Sequence, residues 1–439
     1  MQHAAEQRVQ VTDWSRRTAY VAGSILLLTG AFVAVKTARD ALYFQADGLF
    51  DLPKAYLAIT LLSLPVAAVM LELMRHFGAR PARVIANLGF ALLLLLFAPF
   101  ARPGGGVVMT LFFILVPLVF GVLFSASWLL GADLLDRAPR KRLAKSYGQI
   151  GAASLLGGML GAGLGHLCAR HVDPQALIAL GALLLASVSG VQVVTHRRYP
   201  VQRLASSRNP GRPGPMEVLA AGRDRYTQLL VLIATATALV GVLIEFQFYM
   251  AAASSGQSGR ENMQFFSSVY FIVSLIGLVV QIQVMPWVQN RIGIQRSLLI
   301  LPSVLLGAAS ALLFSSAVAL RTLLRITEGG LKSSIHRANW EQAYIALPPT
   351  RRPVAKLLVD GAGARLGEGL AAGMLQIWLS VVVMDRSLVG LDVRWVTAVL
   401  LVAVIVWIAI TRSIGWTLTA CLAVAGEAEE RLDIPLPET

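Results

Sequence analysis

The stretch RRYPVQRLASSRNPGRPGPMEVLAAGRDR, residues 197–225, decides how this chain is organised. It is rich in Pro, Gly, Ser and Arg, and a segment of this composition cannot build a hydrophobic core. Apolar segments long enough to cross a bilayer, about 17–25 residues each, recur on both sides of it. We therefore interpret residues 197–225 as a basic cytoplasmic linker between an N-terminal six-helix bundle (1–196) and a C-terminal six-helix bundle (226–439).

The composition of the chain is that of a membrane protein. Hydrophobic residues make up 56% of its 439 residues and charged residues 14%, whereas a soluble domain carries about 25% charged residues. The predicted fold class is therefore all-α, a polytopic membrane protein with twelve transmembrane helices in two six-helix bundles. The two cysteines, Cys168 and Cys421, lie in apolar segments and predict neither a disulfide framework nor a metal site.

Twelve apolar segments predict the membrane spans. The first is interpreted as a retained helix and not as a signal peptide, because its long apolar run lacks a small-residue cleavage site. In chain order, spans 1 to 12 cover residues 18–38, 53–74, 84–101, 107–131, 147–169, 174–196, 226–253, 263–286, 295–315, 317–335, 354–384 and 392–412.

The distribution of basic residues predicts the orientation of these spans. With the N-terminus in the cytoplasm, the cytoplasmic segments hold about two dozen Lys and Arg and the opposite loops about half a dozen. This bias predicts a multi-pass membrane protein with both termini in the cytoplasm. The composition, heavy in Ala, Arg and Leu, is typical of a free-living bacterium, so the predicted location is the bacterial inner membrane. The bias in basic residues also accounts for the net charge of +14. The predicted partners are therefore membrane lipids and not nucleic acid. We expect the protein to be a monomer.

Six spans, a basic linker and six more spans resemble the plan of the major facilitator superfamily, in which substrate lies between two pseudo-symmetric halves. Spans 5 and 11 are both rich in Gly and Ala and occupy matching positions in the two halves. In span 5, Gly157, Gly161 and Gly165 form a small-xxx-small face that predicts close helix packing. No G-x-x-x-x-G-K-[ST] motif, nucleophile–base pair or metal-ligand spacing occurs, so we expect neither an ATP-driven pump nor an enzyme, and no cofactor.

Span 10 carries an unusual line of charge. Arg321, Arg325, Glu328 and Lys332 follow one another at steps of four, three and four, which places them on one face of a helix. Contact with lipid would cost about 2.5–3.5 kcal/mol for each charge, so this face must meet a wet cavity or protein partners. One Glu against three cations leaves net positive charge, which suits an anionic solute.

Further charged residues lie in spans 1, 7 and 11. Lys36 and Asp40 are four residues apart and can pair along the helix, leaving Arg39 to engage another group. We predict substrate binding by Lys36, Arg39, Arg321, Arg325 and Lys332. We predict gating or coupling roles for Asp40, Glu245, Glu328, Lys356, Asp360 and Arg365. Interhelical ion pairs that only brace the bundle are the alternative for each of these residues.

Several other residues leave two interpretations open. Glu245, deep among apolar neighbours, is either a proton or gating site or the partner of a cation on another helix. Five aromatic residues can stack on a planar base, although packing is the commoner role of such rings: Tyr43, Phe44, Phe246, Phe248 and Tyr249. His166 and His336 have no second ligand at metal spacing, so we expect them to be loop or packing residues.

Three stretches resemble the ATP/ADP translocase-type nucleotide transporters of plastids and intracellular bacteria. They are KTARDALYFQADGLFDLPKAYLA (36–58), RKRLAKSYGQIGAASLLGGMLGAGLG (140–165) and HRANWEQAYIALPPTRRPVAKLLVDGAGARLGEG (336–369). The resemblance implies nucleotide exchange with important membrane-embedded Lys and Glu residues. By position these are Lys36 and Glu245, followed by Lys356 with Asp360. The chain departs from typical translocases in being shorter and in having the composition of a free-living bacterium, which makes its own ATP. These departures leave open a different nucleotide, a phosphorylated metabolite or an unrelated organic anion.

The sequence thus predicts a secondary active transporter that moves an anionic, nucleotide or phosphorylated solute by alternating access, through exchange or proton coupling. Two alternatives remain. One is transport of an unrelated organic molecule, such as a peptide-like or siderophore-like compound. The other is a sensor or assembly protein on the same fold that does not transport.

Overall fold

The computed structural model of the protein describes residues 2–44, 48–102, 106–135, 140–199, 222–253, 259–315, 317–344, 347, 351–382 and 394–432. Within these residues the chain is all-α, as predicted, and no strand occurs. Most of the linker that we predicted at 197–225, the basic loop at 136–139 and the side chain of Cys421 lie outside the description. The predicted division into bundles 1–196 and 226–439 therefore stays a prediction.

The first half of the chain forms six long helices. They are α1 (Gln2–Tyr43), α2 (Gly48–Phe77), α3 (Ala79–Phe97), α4 (Gly106–Leu135), α5 (Arg140–Cys168) and α6 (Pro174–Arg198). A single turn of 3₁₀-helix, Ala98–Phe100, extends α3. Each of the predicted spans 1 to 6 lies on one of these helices, because an uninterrupted apolar run of this length is helical in a membrane.

The second half is more broken. Its helices are α7 (Arg225–Ala253), α8 (Gly259–Val279), α9 (Met285–Arg291), α10 (Gly293–Leu298), α11 (Ile300–Ala311), α12 (Val318–Leu331), α13 (Arg337–Ala343), α14 (Arg352–Lys356), α15 (Ala364–Val382) and α16 (Arg394–Leu432). Three π-helical segments join consecutive helices: Val280–Val284 after α8, Lys332–His336 after α12 and Leu357–Gly363 after α14. Such segments widen the helix by one residue per turn and are frequent at functional sites.

Nine of the described helices are long and apolar enough to cross a membrane. The predicted spans 295–315, 317–335 and 354–384 are not among these nine. The first is divided between α10 and α11, and the apolar helical stretch across these two helices, Arg296–Ala311, is short. The other two spans each carry four charged residues and pass through a π-helical segment, so neither forms a long, purely apolar helix.

The described helices form two compact units. The first comprises Met1–Arg203 with Ala252–Leu278, and its core surrounds α1. In this unit α5 lies directly on α1, because Gly157 and Gly161 face the backbone carbonyls of Leu26 and Gly30, leaving no room for a side chain. This confirms the close packing predicted from the small-xxx-small face. The third glycine of that face, Gly165, faces the Ser267 side chain of α8.

The second unit comprises Leu204–Ala251 with Val279–Thr439. Here the beginning of α15 lies on α7 in the way that α5 lies on α1. Gly367 faces the carbonyl oxygen of Thr235, and the Thr235 hydroxyl donates to the carbonyl of Gly363 at 2.9 Å. The Gly-rich spans 5 and 11 thus contact the first helix of their own unit. This repeated arrangement explains why the two segments have similar compositions.

Candidate functional site

A buried cluster of charge lies near the end of α1. The Asp40 side chain is completely buried, and its Oδ2 accepts a hydrogen bond from Lys36 Nζ at 2.9 Å. Its Oδ1 accepts from Arg39 Nε at 2.7 Å and lies 2.5 Å from Arg39 Nη2. The pairing of Lys36 with Asp40 was predicted. Arg39 engages another group, as predicted, since its Nη1 lies 3.5 Å from the carbonyl oxygen of Phe113. Its additional bond to the Asp40 carboxylate was not predicted.

An aromatic residue of α8 completes this cluster, which we call the α1 cluster: Lys36, Arg39, Asp40 and Tyr270. The Tyr270 hydroxyl donates to Asp40 Oδ2 at 2.5 Å, and the Lys36 ammonium lies 4.9 Å from the centre of the Tyr270 ring. Sequence reasoning missed Tyr270, since it lies 230 positions from Asp40. An isolated tyrosine in an apolar segment gives no signal of such a contact.

The surroundings of the α1 cluster are aromatic. The Arg39 guanidinium lies 4.0 Å from the centre of the Phe113 ring, a cation–π geometry. Tyr43 stacks on Phe113 with ring centres 4.4 Å apart, and Phe44 meets the same ring edge-on. Tyr43 and Phe44 are buried, so their contacts in this structure are the packing role and not an exposed stacking surface for a base.

The second unit holds a network between α7 and α12, the α12 network: Glu245, Arg325, Glu328 and Lys332. Arg325 donates to Glu328 on its own helix and, through Nη2, to Glu245 Oε1 of α7 at 3.2 Å. Lys332 Nζ donates to Glu328 Oε1 at 2.9 Å. Three residues of the predicted stripe therefore contact one another along one helix face. Two carboxylates and two cations alternate in this network.

Burial differs across the α12 network. Glu328 is buried, with 3% of its side chain exposed, whereas 41% of the Lys332 side chain is exposed. Gly241 of α7 faces the Lys332 ammonium, because a Cβ at Gly241 would lie 2.9 Å from Lys332 Nζ. The absence of a side chain at position 241 therefore makes room for the cation. Sequence reasoning also missed this glycine, which no motif distinguishes from other helical glycines.

Glu245 of α7 and Arg321 of α12 differ in their contacts. Glu245 accepts from Arg325 and from the Tyr249 hydroxyl at 3.0 Å, so the ion-pair interpretation is the one that this geometry matches. Arg321, one turn before Arg325, is buried, and its guanidinium makes no hydrogen bond or ion pair with the residues that the structure describes. Phe246, Phe248 and Tyr249 are buried packing residues.

The predicted residues of span 11 contact aromatic and charged side chains outside the α12 network. Asp360, in the π-helical segment Leu357–Gly363, accepts from Tyr344 at 2.8 Å and from Trp340 Nε1 at 3.2 Å. Lys356 lies over the Tyr344 ring, 5.4 Å from its centre. Arg365 pairs with Glu368, three residues away, at 2.5 Å. Among the described residues the partners of Asp360 are therefore neutral aromatic donors and not the cations of span 10.

The two histidines considered in the sequence are packing residues here. His166 is within 3.0 Å of the Ser268 hydroxyl, and the His336 ring stacks on Trp340 with centres 5.7 Å apart. Within the part of the chain that the structure describes, no three His, Cys, Asp or Glu side chains converge in a way that could hold a metal ion.

The sequence model of the Major Facilitator Superfamily matches residues 55–329, more than half of the chain. The chain belongs to the major facilitator superfamily. It is accordingly a multi-pass membrane protein of a transporter family, which agrees with the spans and with the family plan recognised in the sequence. No curated protein sequence matches this superfamily member significantly.

Solved transporters share the fold. A substituted form of the nucleoside transporter NupG is 12% identical, with a TM-score of 0.61 over 93% of this chain and 99% of that chain. The POT family transporter PepTSo is 11% identical, with a TM-score of 0.64 over 91% and 98%. A bacterial homologue of the lysosomal transporter Spinster is 12% identical, with a TM-score of 0.52 over 92% and 98%. At these identities the likeness establishes the fold alone.

Proposed function

We propose that this superfamily member is a secondary transporter that moves an anionic, nucleotide or phosphorylated solute across the bacterial inner membrane by alternating access. The observation that carries the proposal is the α1 cluster, in which a buried lysine and a buried arginine hold one carboxylate between them. The Asp40 carboxylate shows the kind of group that these cations bind. A phosphate or carboxylate of a solute has the same charge and the same acceptor oxygens.

The chemistry of the two cations suits a phosphorylated solute. The planar guanidinium of Arg39 can bind two oxygens at once, whereas the Lys36 ammonium acts as a compact point charge. The Phe113 and Tyr270 rings, which lie beside these cations, restrict the access of water and thereby strengthen the electrostatic attraction. In this proposal the solute takes the place of Asp40 as the anionic partner, and the Tyr270 hydroxyl keeps the displaced carboxylate hydrogen-bonded.

The α12 network supports an exchange mechanism. Arg325 is held by Glu245 and Glu328 together, so an approaching anion must compete with two carboxylates that are already bound. A carrier whose cations are paired in this way is stable when empty and changes its pairing when the solute binds. Arg321, buried on the same helix, adds positive charge for which the described residues provide no carboxylate. Proton coupling through Glu245 is the competing mechanism.

The resemblance to ATP/ADP translocase-type transporters is consistent with this proposal. The two residues that the resemblance singled out, Lys36 and Glu245, take part in the α1 cluster and in the α12 network respectively. Two further residues, Lys356 and Asp360, meet at the Tyr344 side chain. We assign to them a gating role around the π-helical segment, because an extra residue in a helical turn permits a local change of register.

A second candidate is transport of a zwitterionic, peptide-like solute. It is favoured by the alternation of two carboxylates and two cations in the α12 network, since such an array can bind an amino group and a carboxylate together. The fold of the POT family transporter PepTSo is compatible with it, but 11% identity supports the fold and not the substrate. A ligand screen that contains both solute classes distinguishes the two candidates.

The test combines ligand binding with flux. The purified protein is screened by thermal unfolding against nucleotides, phosphorylated metabolites and dipeptides, because a ligand that binds the native state raises the unfolding temperature. A stabilising solute is then tested for flux in proteoliposomes. We expect a phosphorylated solute to stabilise the protein, and we expect Lys36→Gln to lower its flux by about tenfold or more through the lost charged contact.

The matched control is Lys54→Gln. Lys54 pairs with Asp51 on α2, and both side chains are well exposed, so this variant should transport normally. Stabilisation by dipeptides alone would overturn the proposal in favour of the second candidate. Binding without flux in sealed vesicles would instead identify a sensor.

A further inference from the structure

A basic cluster separate from the proposed transport residues lies where α3 begins and α6 ends. Arg83 of α3 has 1% of its surface exposed. Its Nη1 and Nη2 lie 3.3 and 3.4 Å from Asp133 Oδ2 of α4, and Nη1 lies 3.5 Å from the carbonyl oxygen of Ala126. All three distances are at the long end of hydrogen bonding. A buried guanidinium with only long contacts is poorly satisfied.

Three nitrogen atoms of this cluster make no hydrogen bond with the residues that the structure describes. They are Nε of Arg80, Nε of Arg83 and Nε2 of His196, and each of these atoms is buried. Both guanidinium groups interact electrostatically with the His196 ring. Buried polar atoms in native proteins nearly always have a partner. Three unsatisfied nitrogens on side chains that interact electrostatically with one another therefore point to a group that binds among them.

The charges define what that group is. Among the described residues, Asp133 is the carboxylate that interacts electrostatically with both Arg80 and Arg83. Its side chain is half-exposed. Two guanidinium groups against one half-exposed carboxylate leave net positive charge, which excludes a cation and leaves an anion as the fitting ligand. A tetrahedral oxyanion offers several acceptor oxygens, so that it can accept from both Arg Nε–H groups and from the His196 ring at once. A single water molecule cannot supply that many acceptors.

We propose that Arg80, Arg83 and His196 form a binding site for a phosphate-type anion, distinct from the α1 cluster and the α12 network. Two sources of the anion share this chemistry, the headgroup of an anionic phospholipid and a free phosphate. In the predicted orientation this end of the first unit faces the cytoplasm, where basic pockets between membrane helices bind lipid headgroups. The neighbouring Arg197 and Arg198 are exposed and extend the basic surface beyond the pocket.

The test measures binding and not transport, so that it is independent of the proposed function. Thermal unfolding of the full-length protein is followed in neutral detergent with inorganic phosphate or with chloride at equal ionic strength. The protein is also placed in bilayers of phosphatidylcholine with and without phosphatidylglycerol. We expect phosphate, phosphatidylglycerol or both to raise the unfolding temperature. A response to phosphatidylglycerol alone identifies the lipid headgroup, and a response to phosphate alone identifies the free anion.

Three variants connect the response to the site. Arg80→Gln and His196→Gln each remove one of the three groups. Each variant should raise the ligand concentration at half-saturation by about tenfold. Arg83 is left intact to protect folding. The matched control is Arg75→Gln. Arg75 is exposed at the end of α2 and pairs with Glu72 at 2.9 Å. The proposal is overturned if neither ligand stabilises the protein, or if all three variants respond as the unsubstituted protein does.

Discussion

At the scale of single residues, Asp40 is the group on which the α1 cluster depends. Lys36, Arg39 and Tyr270 all direct a polar group at its carboxylate, which has no exposed surface. A buried charge of this kind contributes little when its partners are in place. Its removal, however, leaves the partners uncompensated in a medium of low dielectric constant.

Asp40→Asn tests this dependence. We expect the variant to lose about 3–5 kcal/mol of stability, because two buried cations lose their shared anionic partner. The unfolding temperature in detergent measures the loss. Asp51→Asn is the control, since Asp51 forms an exposed pair with Lys54 and such pairs contribute about 0–1 kcal/mol. Equal stability of the two variants would show that Asp40 does not hold the cluster together.

The contact between Glu245 and Arg325 is tested by a double-mutant cycle. The pair is partly buried and joins α7 to α12, so the Glu245→Gln and Arg325→Gln effects on stability should not add. We expect a coupling free energy of about 0.5–3 kcal/mol, the range for residues in contact. Unfolding of the two single variants and the double variant gives this quantity. Additive effects would mean that the two side chains act independently.

The residues that the sequence could predict are those whose partners are local. Helical spacing alone predicts the contact of Lys36 with Asp40 and the common face of Arg325, Glu328 and Lys332. In the structure Lys36 binds Asp40, and Glu328 binds both cations of that face. Tyr270 and Gly241 could not be predicted, because their partners come from helices distant in the chain. Spacing also cannot decide between competing partners, which is why the second bond of Asp40, to Arg39, was not expected.

At the scale of the helices, the contact of α5 with α1 depends on glycine. We expect Gly157→Ala to destabilise the protein by about 1–3 kcal/mol, because the added methyl group would overlap the backbone of Leu26. Gly151→Ala on the same helix is the control, since a Cβ at Gly151 meets no atom within 4 Å. It should be neutral or slightly stabilising, because alanine favours a helix. Thermal unfolding compares the two, and equal behaviour would contradict the packing argument.

The sequence predicted helices and close packing better than it predicted helix irregularities. The small-xxx-small repeat in α5 indicates a tight contact, but not that α1 supplies the other surface. The sequence indicates ordinary α-helix at Lys332–His336 and Leu357–Gly363, where the structure has π-helical segments. One extra residue in a turn shifts the hydrophobic pattern by too little to be visible among so many charged residues.

At the scale of the whole molecule, the proposal predicts solute exchange. In counterflow experiments with proteoliposomes, labelled solute should accumulate against unlabelled solute inside even when the pH is clamped on both sides. The physical reason is the pairing of the cations in the empty carrier. This pairing disfavours the change of the carrier to its other access state when no anion is bound. Flux that requires a proton gradient, and that loses this requirement in Glu245→Gln, would favour proton coupling instead.

The plan of the molecule could be read from the chain, whereas its solute could not. Two sets of apolar segments and a linker rich in Pro and Arg are sufficient to indicate the superfamily that the family comparison establishes. The specificity of a carrier depends on a few polar groups that different helices bring together. At 11–12% identity, the likeness to the solved transporters establishes the fold and does not identify the solute.

The α1 cluster also has a consequence for biosynthesis. The ribosome makes α1 long before α8, so that Lys36, Arg39 and Asp40 enter the bilayer before Tyr270 exists. The carboxylate and its two cations lie within five consecutive residues, which lets them neutralise one another while the nascent helix is inserted. The tyrosine hydroxyl can be added only after more than half of the chain has been translated. The cluster is therefore assembled in two stages, the first of which needs no other helix.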